Sequence, residues 1–113
     1  MPSSNTTSRA ETILVVDDAK DSVRLLGALL HARGYVVRVA FNGLTALMQA
    51  KSAPTDLILL DILLPDITGY EVCERLKADE ATRHIPVIFL SALEEPLDKI
   101  NAFRVGGEDY LTK

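Results

Sequence analysis

Apolar residues along this chain fall into short dense runs separated by amphipathic stretches. Ile13–Val16 (ILVV) is too brief for a buried helix and ends in Asp17-Asp18, so it predicts a strand buried on both faces. Val23, Leu26, Leu29 and Leu30 then recur at helical spacing, with Gly34 as the stop. His31 and Arg33 fall in the last turn, where the helix dipole favours cations. Tyr35–Ala40 (YVVRVA) predicts a second strand. Asn42-Gly43 reads as a turn, and Leu44–Lys51 as a second helix with Ala46, Leu47 and Ala50 on one side, ended by Pro54. Asp56–Leu60 predicts a third strand, and Gly69–Lys77 a third helix with Val72, Cys73 and Leu76 turned inward. Pro86 opens a fourth strand, Val87–Leu90, at a position that tolerates a missing donor. Glu95–Arg104 predicts a fourth helix closed by Gly106-Gly107, and Tyr110–Thr112 begins a fifth strand.

Strands and helices alternating at these lengths imply a parallel sheet with helices on both faces. The natural arrangement is a flavodoxin-like, doubly wound, five-stranded α/β sheet in the order 2-1-3-4-5. Residues 1–10 (MPSSNTTSRA) are polar, lack the apolar centre of a signal peptide and read as a flexible tail; 11–113 form a single domain. At 48% hydrophobic and 25% charged residues, the chain can bury a core without staples. Sixteen acids against twelve bases, with no basic block, argue against a nucleic-acid partner for this segment. No apolar stretch reaches the roughly 18 residues of a membrane span. The single cysteine, Cys73, excludes an internal disulfide and fits a reducing, cytoplasmic setting, where it reads as a small core residue.

One run resists the simple pattern. In LILLDILLPD, residues 57–66, one carboxylate stands among seven Leu and Ile residues. An ionised Asp in a core loses hydration and must find a partner. The sheet order removes the conflict by making Asp61 the last residue of the third strand, at the mouth of the sheet. Strands one and three are neighbours at the switch in strand order, where open α/β sheets bind ligands beyond the carboxyl ends. Asp17, Asp18 and Asp61 should therefore converge. Carboxylates so gathered repel and call for a positive group, and a hard cation with oxygen ligands, Mg2+, fits. Strand four ends in Ser91 and strand five in Lys113, adding a hydroxyl and a second positive charge. Acids, metal, lysine and hydroxyl around one further acid suit phosphoryl transfer, with the Asp able to form an acyl phosphate.

ILVVDD at 13–18, DLILLDILLPDITGYEV at 56–72, IPVIFLSA at 85–92 and EDYLTK at 108–113 together resemble the receiver domain of bacterial two-component response regulators. The resemblance implies a phosphorylation-activated switch. Asp61 would be the phosphoacceptor. Asp18 and Asp61 would bind Mg2+ directly, the main-chain carbonyl of Leu63 would be a further ligand, and Asp17 would act through a water. Ser91 and the N–H of Ala92 would hold phosphate oxygens, and Lys113 would pair with the phosphate. Ser91 and Tyr110 would form the switch, and Pro65 and Gly69 would shape the loop after Asp61. The implied partners are a histidine kinase or phosphotransfer protein and a C-terminal output domain. No turnover of a separate substrate is implied, only self-catalysed transfer onto Asp61 and slow self-dephosphorylation.

Plainer readings stand beside these. Asp17-Asp18 could be a helix N-cap with a first-turn acid, Ser91 a strand-end hydroxyl, Lys113 a solvated terminus and Tyr110 a half-buried strand aromatic. His31 and His84 read as surface residues. The family continues past its lysine with a proline and a fifth helix, which this chain does not have. Inward-facing residues of strands one, four and five are then expected to show an apolar patch, to be covered by a further segment or by a partner chain, a homodimer included. Leu63 and Leu93, each two residues from a site position, are expected to hinder water attack on an acyl phosphate. Two rivals remain: a phosphorylation-independent binding module of the same fold, and an Asp-nucleophile phosphatase or phosphotransferase.

Overall fold

The structure, a computed structural model, describes residues 10–91, 104, 106, 107 and 109–112, with 91 and 109–112 as strand backbone. The elements are β1 (Thr12–Val16), α1 (Lys20–Ala32), β2 (Val36–Ala40), α2 (Gly43–Ser52), β3 (Leu57–Asp61), α3 (Gly69–Ala78), β4 (Val87–Ser91) and β5 (Asp109–Thr112). The five strands form one sheet in the order β2-β1-β3-β4-β5, parallel throughout. Apart from Arg104, which is helical, the helix expected over Glu95–Arg104 lies outside the described residues, as does nearly all of the expected tail. Among the described residues, no helix is long and apolar enough to cross a membrane.

Alternation along the strands divides the core into two layers. Leu14, Val16, Ile58, Leu60, Val87 and Phe89 pack toward α2 and α3, meeting Ala46, Ala50, Val72, Cys73 and Leu76. Ile13, Val15, Leu59 and Leu90 pack toward α1, meeting Val23 and the half-buried Leu26 and Leu30. All five residues of β1 are buried, as a central parallel strand requires. Each large side chain so buried contributes about 1.5–3 kcal/mol, which makes the β1–β3 centre the firmest part of the sheet. At the far end from the strand mouths, the Asp56 carboxylate accepts from the Thr12 N–H at 2.7 Å, and the Asp56 N–H donates to the Thr12 carbonyl at 2.9 Å. These bonds fix the β1–β3 register before either strand reaches its carboxyl end.

Local signals mostly hold, with two corrections. Gly34 ends α1 at φ +93°, a left-handed conformation that glycine adopts without penalty. Asn42-Gly43, expected as a turn, is instead the start of α2: Asn42 is the N-cap, and its side chain accepts from the Thr45 N–H at 2.8 Å. Leu29, expected on the inner face of α1, is 59% exposed, and Leu25 is 65% exposed. Of the strand residues expected to show an apolar patch, Ile13, Val15 and Leu90 are buried, and the side chains of β5 lie outside the described residues. The apolar surface lies on α1, where Leu25, Leu26 and Leu29 line a groove of about 290 Å³ over Val15 and Leu90.

The helix that follows β3 sits hard against it. The Gly69 N–H donates to the Ile62 carbonyl at 2.8 Å. A Cβ at position 69 would collide with the Asp61 carbonyl oxygen and stand 2.9 Å from the Ile62 Cα. Only glycine lets α3 begin this close to the strand end. Gly69→Ala is therefore expected to cost about 1–3 kcal/mol through overpacking against backbone, read as a lower thermal midpoint. An unchanged midpoint would show that the contact relaxes freely.

Candidate functional site

The register carries the acidic residues to one place. Val16 pairs with Leu60, so Asp17, the next residue of the chain, stands level with Asp61 at the carboxyl edge of the sheet. Asp61 shares the parity of Leu57 and Leu59, and Asp17 that of Ile13 and Val15, so both lean toward the α1 side. One oxygen from each of Asp17, Asp18 and Asp61 lies within 4.8 Å of the others. Asp17 and Asp61 are buried, at 2% and 7% exposure, while Asp18 is exposed.

The helix-cap reading of the acidic pair is not what the structure contains. The N-cap of α1 is Ala19, without a side-chain cap bond, and the acid of its first turn is Asp21. Asp17 is held from both sides instead. Its N–H donates to the Ala40 carbonyl at 3.1 Å, and its Oδ1 accepts from the Ala19 N–H at 3.0 Å. The bend that follows β1 thus presents Asp17 and Asp18 as two differently placed carboxylates.

Electrostatics decide what such a cluster can do. Unit charges 4.8 Å apart, the outer limit here, repel by about 3.5 kcal/mol at an effective dielectric of 20. Burial of two members keeps water from screening this fully. The donor set is all carboxylate oxygen, with no thiolate or imidazole, and this suits a hard cation such as Mg2+ rather than a soft transition metal. The residues present therefore fit the ion that the sequence implies.

The loop from Ile62 to Thr68 forms one wall of the site. Leu63, two residues after Asp61, is 63% exposed. Thr68 caps α3 by accepting from the Glu71 N–H at 3.2 Å. Asp66 reaches across to α2, its Oδ1 accepting from the Gly43 N–H and its Oδ2 from the Leu44 N–H, both at 2.8 Å. Desolvation pushes the Asp66 carboxyl up, but the N–H groups of Gly43, Leu44 and Ile67 together hold it below its ordinary value. Sequence reading missed this residue. Its only local signal was an acid beside Pro65, and its partners lie 22 and 23 positions away.

On the opposite wall, Ser91 ends β4 in register with Thr112, and Tyr110 in β5 is in register with Phe89. These pairings put Ser91 at the same carboxyl edge, one position beyond Leu90, the partner of Asp61. Ala92, Leu93 and Lys113 lie outside the described residues. Cys73 is buried in the core, and His31 and His84 are exposed, away from the acidic cluster.

A doubly wound α/β domain with an acidic pocket at its switch point is the class of protein these features define. The model of the response regulator receiver domain matches residues 13–113, and the chain belongs to that family. It is 48% identical over 101 residues to the response regulator PleD of Caulobacter vibrioides, a match covering 89% of this chain and 22% of PleD. It is 43% identical over 101 residues to the DNA-binding dual master transcriptional regulator RpaA of Synechocystis sp., covering 89% of this chain and 42% of RpaA. In structure it matches the chemotaxis protein CheY4 of Vibrio cholerae with a TM-score of 0.89 at 28% identity, covering 93% of this chain and 88% of that one. The chain thus spans about a fifth of PleD's length and about two fifths of RpaA's.

The crowding has a measurable consequence. Asp61→Asn removes one like charge while keeping the shape of the side chain, so it should raise the thermal midpoint in chelator. Mg2+ should then raise the midpoint of the wild type more than that of the variant. Equal midpoints in chelator would mean that the repulsion is already neutralised within the chain.

Proposed function

We propose that this receiver domain is a phosphorylation-activated switch in which Asp61 takes a phosphoryl group from a partner histidine kinase or phosphotransfer protein. The observation that carries the reading is the convergence of Asp17, Asp18 and Asp61 within 4.8 Å at the ends of β1 and β3. Asp17, Asp18 and Asp61, with the main-chain carbonyl of Leu63, would hold Mg2+, Asp17 through a water. Bound there, Mg2+ would neutralise charge on the equatorial oxygens of the transferring group.

The chain's own residues supply the rest. A carboxylate oxygen of Asp61 attacks phosphorus, an O–P bond forms, and the P–N bond to the donor imidazole breaks. The imidazole leaves with that electron pair and ends as neutral histidine once protonated. Burial of Asp61 limits the hydration that an attacking carboxylate would have to shed. Ser91 and the Ala92 N–H would take phosphate oxygens, and Lys113 would pair with the product charge. The change would then be read through Ser91 and Tyr110 on the β4–β5 wall.

The arrangement disfavours the phosphatase reading. Doubly wound phosphatases with an Asp nucleophile carry it directly after the first strand, with a second Asp two residues on; here the first pair is adjacent and the lone acid ends β3. The greater lengths of PleD and RpaA support coupling to an output segment, and the reading places the switch in the cytoplasm beside its kinase.

Incubation with a small phosphodonor and Mg2+ should add one phosphoryl group by mass, and chelator or Asp61→Asn should abolish it. Labelling that survives Asp61→Asn would sink the assignment. The exposed Leu63, two residues after Asp61, adds a second expectation. Leu63→Asn should speed decay of the phosphorylated form several-fold by admitting and orienting water; an unchanged decay rate would show that access is controlled elsewhere.

A further inference from the structure

The wall that carries Leu63 is anchored at three points. At its start Asp61 is locked in the sheet through its β4 neighbour Leu90. At its end the Gly69 N–H is bonded to the Ile62 carbonyl at 2.8 Å, under a contact that excludes any Cβ. In the middle, Asp66 spans the first two N–H groups of α2 with one oxygen on each, at 2.8 Å and 2.8 Å. Ile67 seals the same junction, since a Cβ on Gly43 would stand 2.5 Å from its Cγ1 and 2.8 Å from Val72 Cγ2.

This clamp is stronger than an ordinary loop contact. A carboxylate on main-chain N–H groups makes charge-assisted bonds, and the helix N-terminus adds a favourable dipole. Asn42 takes the next N–H of the turn, that of Thr45, so Asp66 and Asn42 together satisfy three successive donors. Asp66 is thereby committed to α2 and does not face the acidic cluster as a further ligand.

We propose that Asp66 is a positioning residue of the phosphoryl site, tying the loop that carries Leu63 to the N-terminus of α2 and so holding the Leu63 carbonyl ready for Mg2+. The proposal rests on the reading that Asp17, Asp18, Asp61 and that carbonyl bind the ion. Groups that orient metal ligands set affinity without touching the metal, because a loop left loose must be ordered each time the ion binds. Asp66 does this through the backbone, three residues after Leu63.

The test compares wild type, Asp66→Ala and Asp66→Asn by calorimetric titration with MgCl2, alongside amide hydrogen exchange. Asp66→Ala should weaken Mg2+ binding roughly tenfold, the lower end for lost orienting contacts, and speed exchange at Gly43 and Leu44. Asp66→Asn keeps one acceptor oxygen and should fall between the two. A residue that only stabilised the fold would lower the midpoint in chelator and leave Mg2+ affinity unchanged; that result for both variants overturns the proposal. If Asp66→Ala does not fold, wild-type affinity and wild-type exchange in Asp66→Asn overturn it equally. A wild-type protein that shows no Mg2+ binding would instead defeat the metal-site reading itself, and this inference with it.

Discussion

The packing of β1 against β3 is the constraint on which the rest depends. These strands are buried along almost their whole length, and their register is set by apolar side chains and by the Asp56–Thr12 bonds far from the site. The same register leaves Asp17 and Asp61 side by side where the strands end. Their repulsion cannot be relieved by a shift, because a one-residue slip would turn every core side chain of one strand to the wrong layer. A fold that holds like charges together in this way stores a preference for cations at one position. It also makes the local charge balance the variable to which that position responds.

Within the cluster the three acids are not equivalent. Asp17 is buried and fixed by the Ala40 carbonyl and the Ala19 N–H, whereas its neighbour Asp18 faces solvent. Adjacent residues leaving a strand diverge by nature, since side chains alternate. The pair therefore offers one rigid inner carboxylate and one outer carboxylate able to meet an arriving ion. Asp61, at 7% exposure, is nearly as buried as Asp17 although it stands at the mouth of the sheet.

Much of this was legible in the sequence because the relevant signals are local or follow from topology. The dense runs at 13–16, 57–60 and 87–90 admit only buried strands once the helical stretches between them are recognised, and the strand order then puts Asp17, Asp18 and Asp61 together. Other features were not legible because they depend on which surfaces meet. Asn42-Gly43 has the composition of a turn, and only the following helix makes Asn42 a cap. Leu29 carries the spacing of an inner residue, yet α1 covers the sheet with Val23, Leu26 and Leu30 and leaves Leu29 outside. Asp66 drew no reading from the sequence because its partners belong to another element.

The anchoring of the loop after Asp61 bears on how a signal could leave the site. A phosphoryl group on Asp61 would add charge and bulk between two walls. The wall from Ile62 to Thr68 is tied to β3, α2 and α3 by Gly69, Asp66 and the Thr68 cap, so moving it would break bonds in three elements at once. Small changes at a packed site spread through whichever neighbour has a second arrangement within reach, not through the one already fixed by several contacts. The pinned wall therefore serves as the fixed jaw. Under the proposed function, rearrangement would fall to the other side, where Ser91 ends β4 in register with Thr112 and Tyr110 lies in β5. On that view the clamp on α2 and the proposed switch at the sheet edge would be complementary: holding one wall still would allow a local charge to be read as movement of the other.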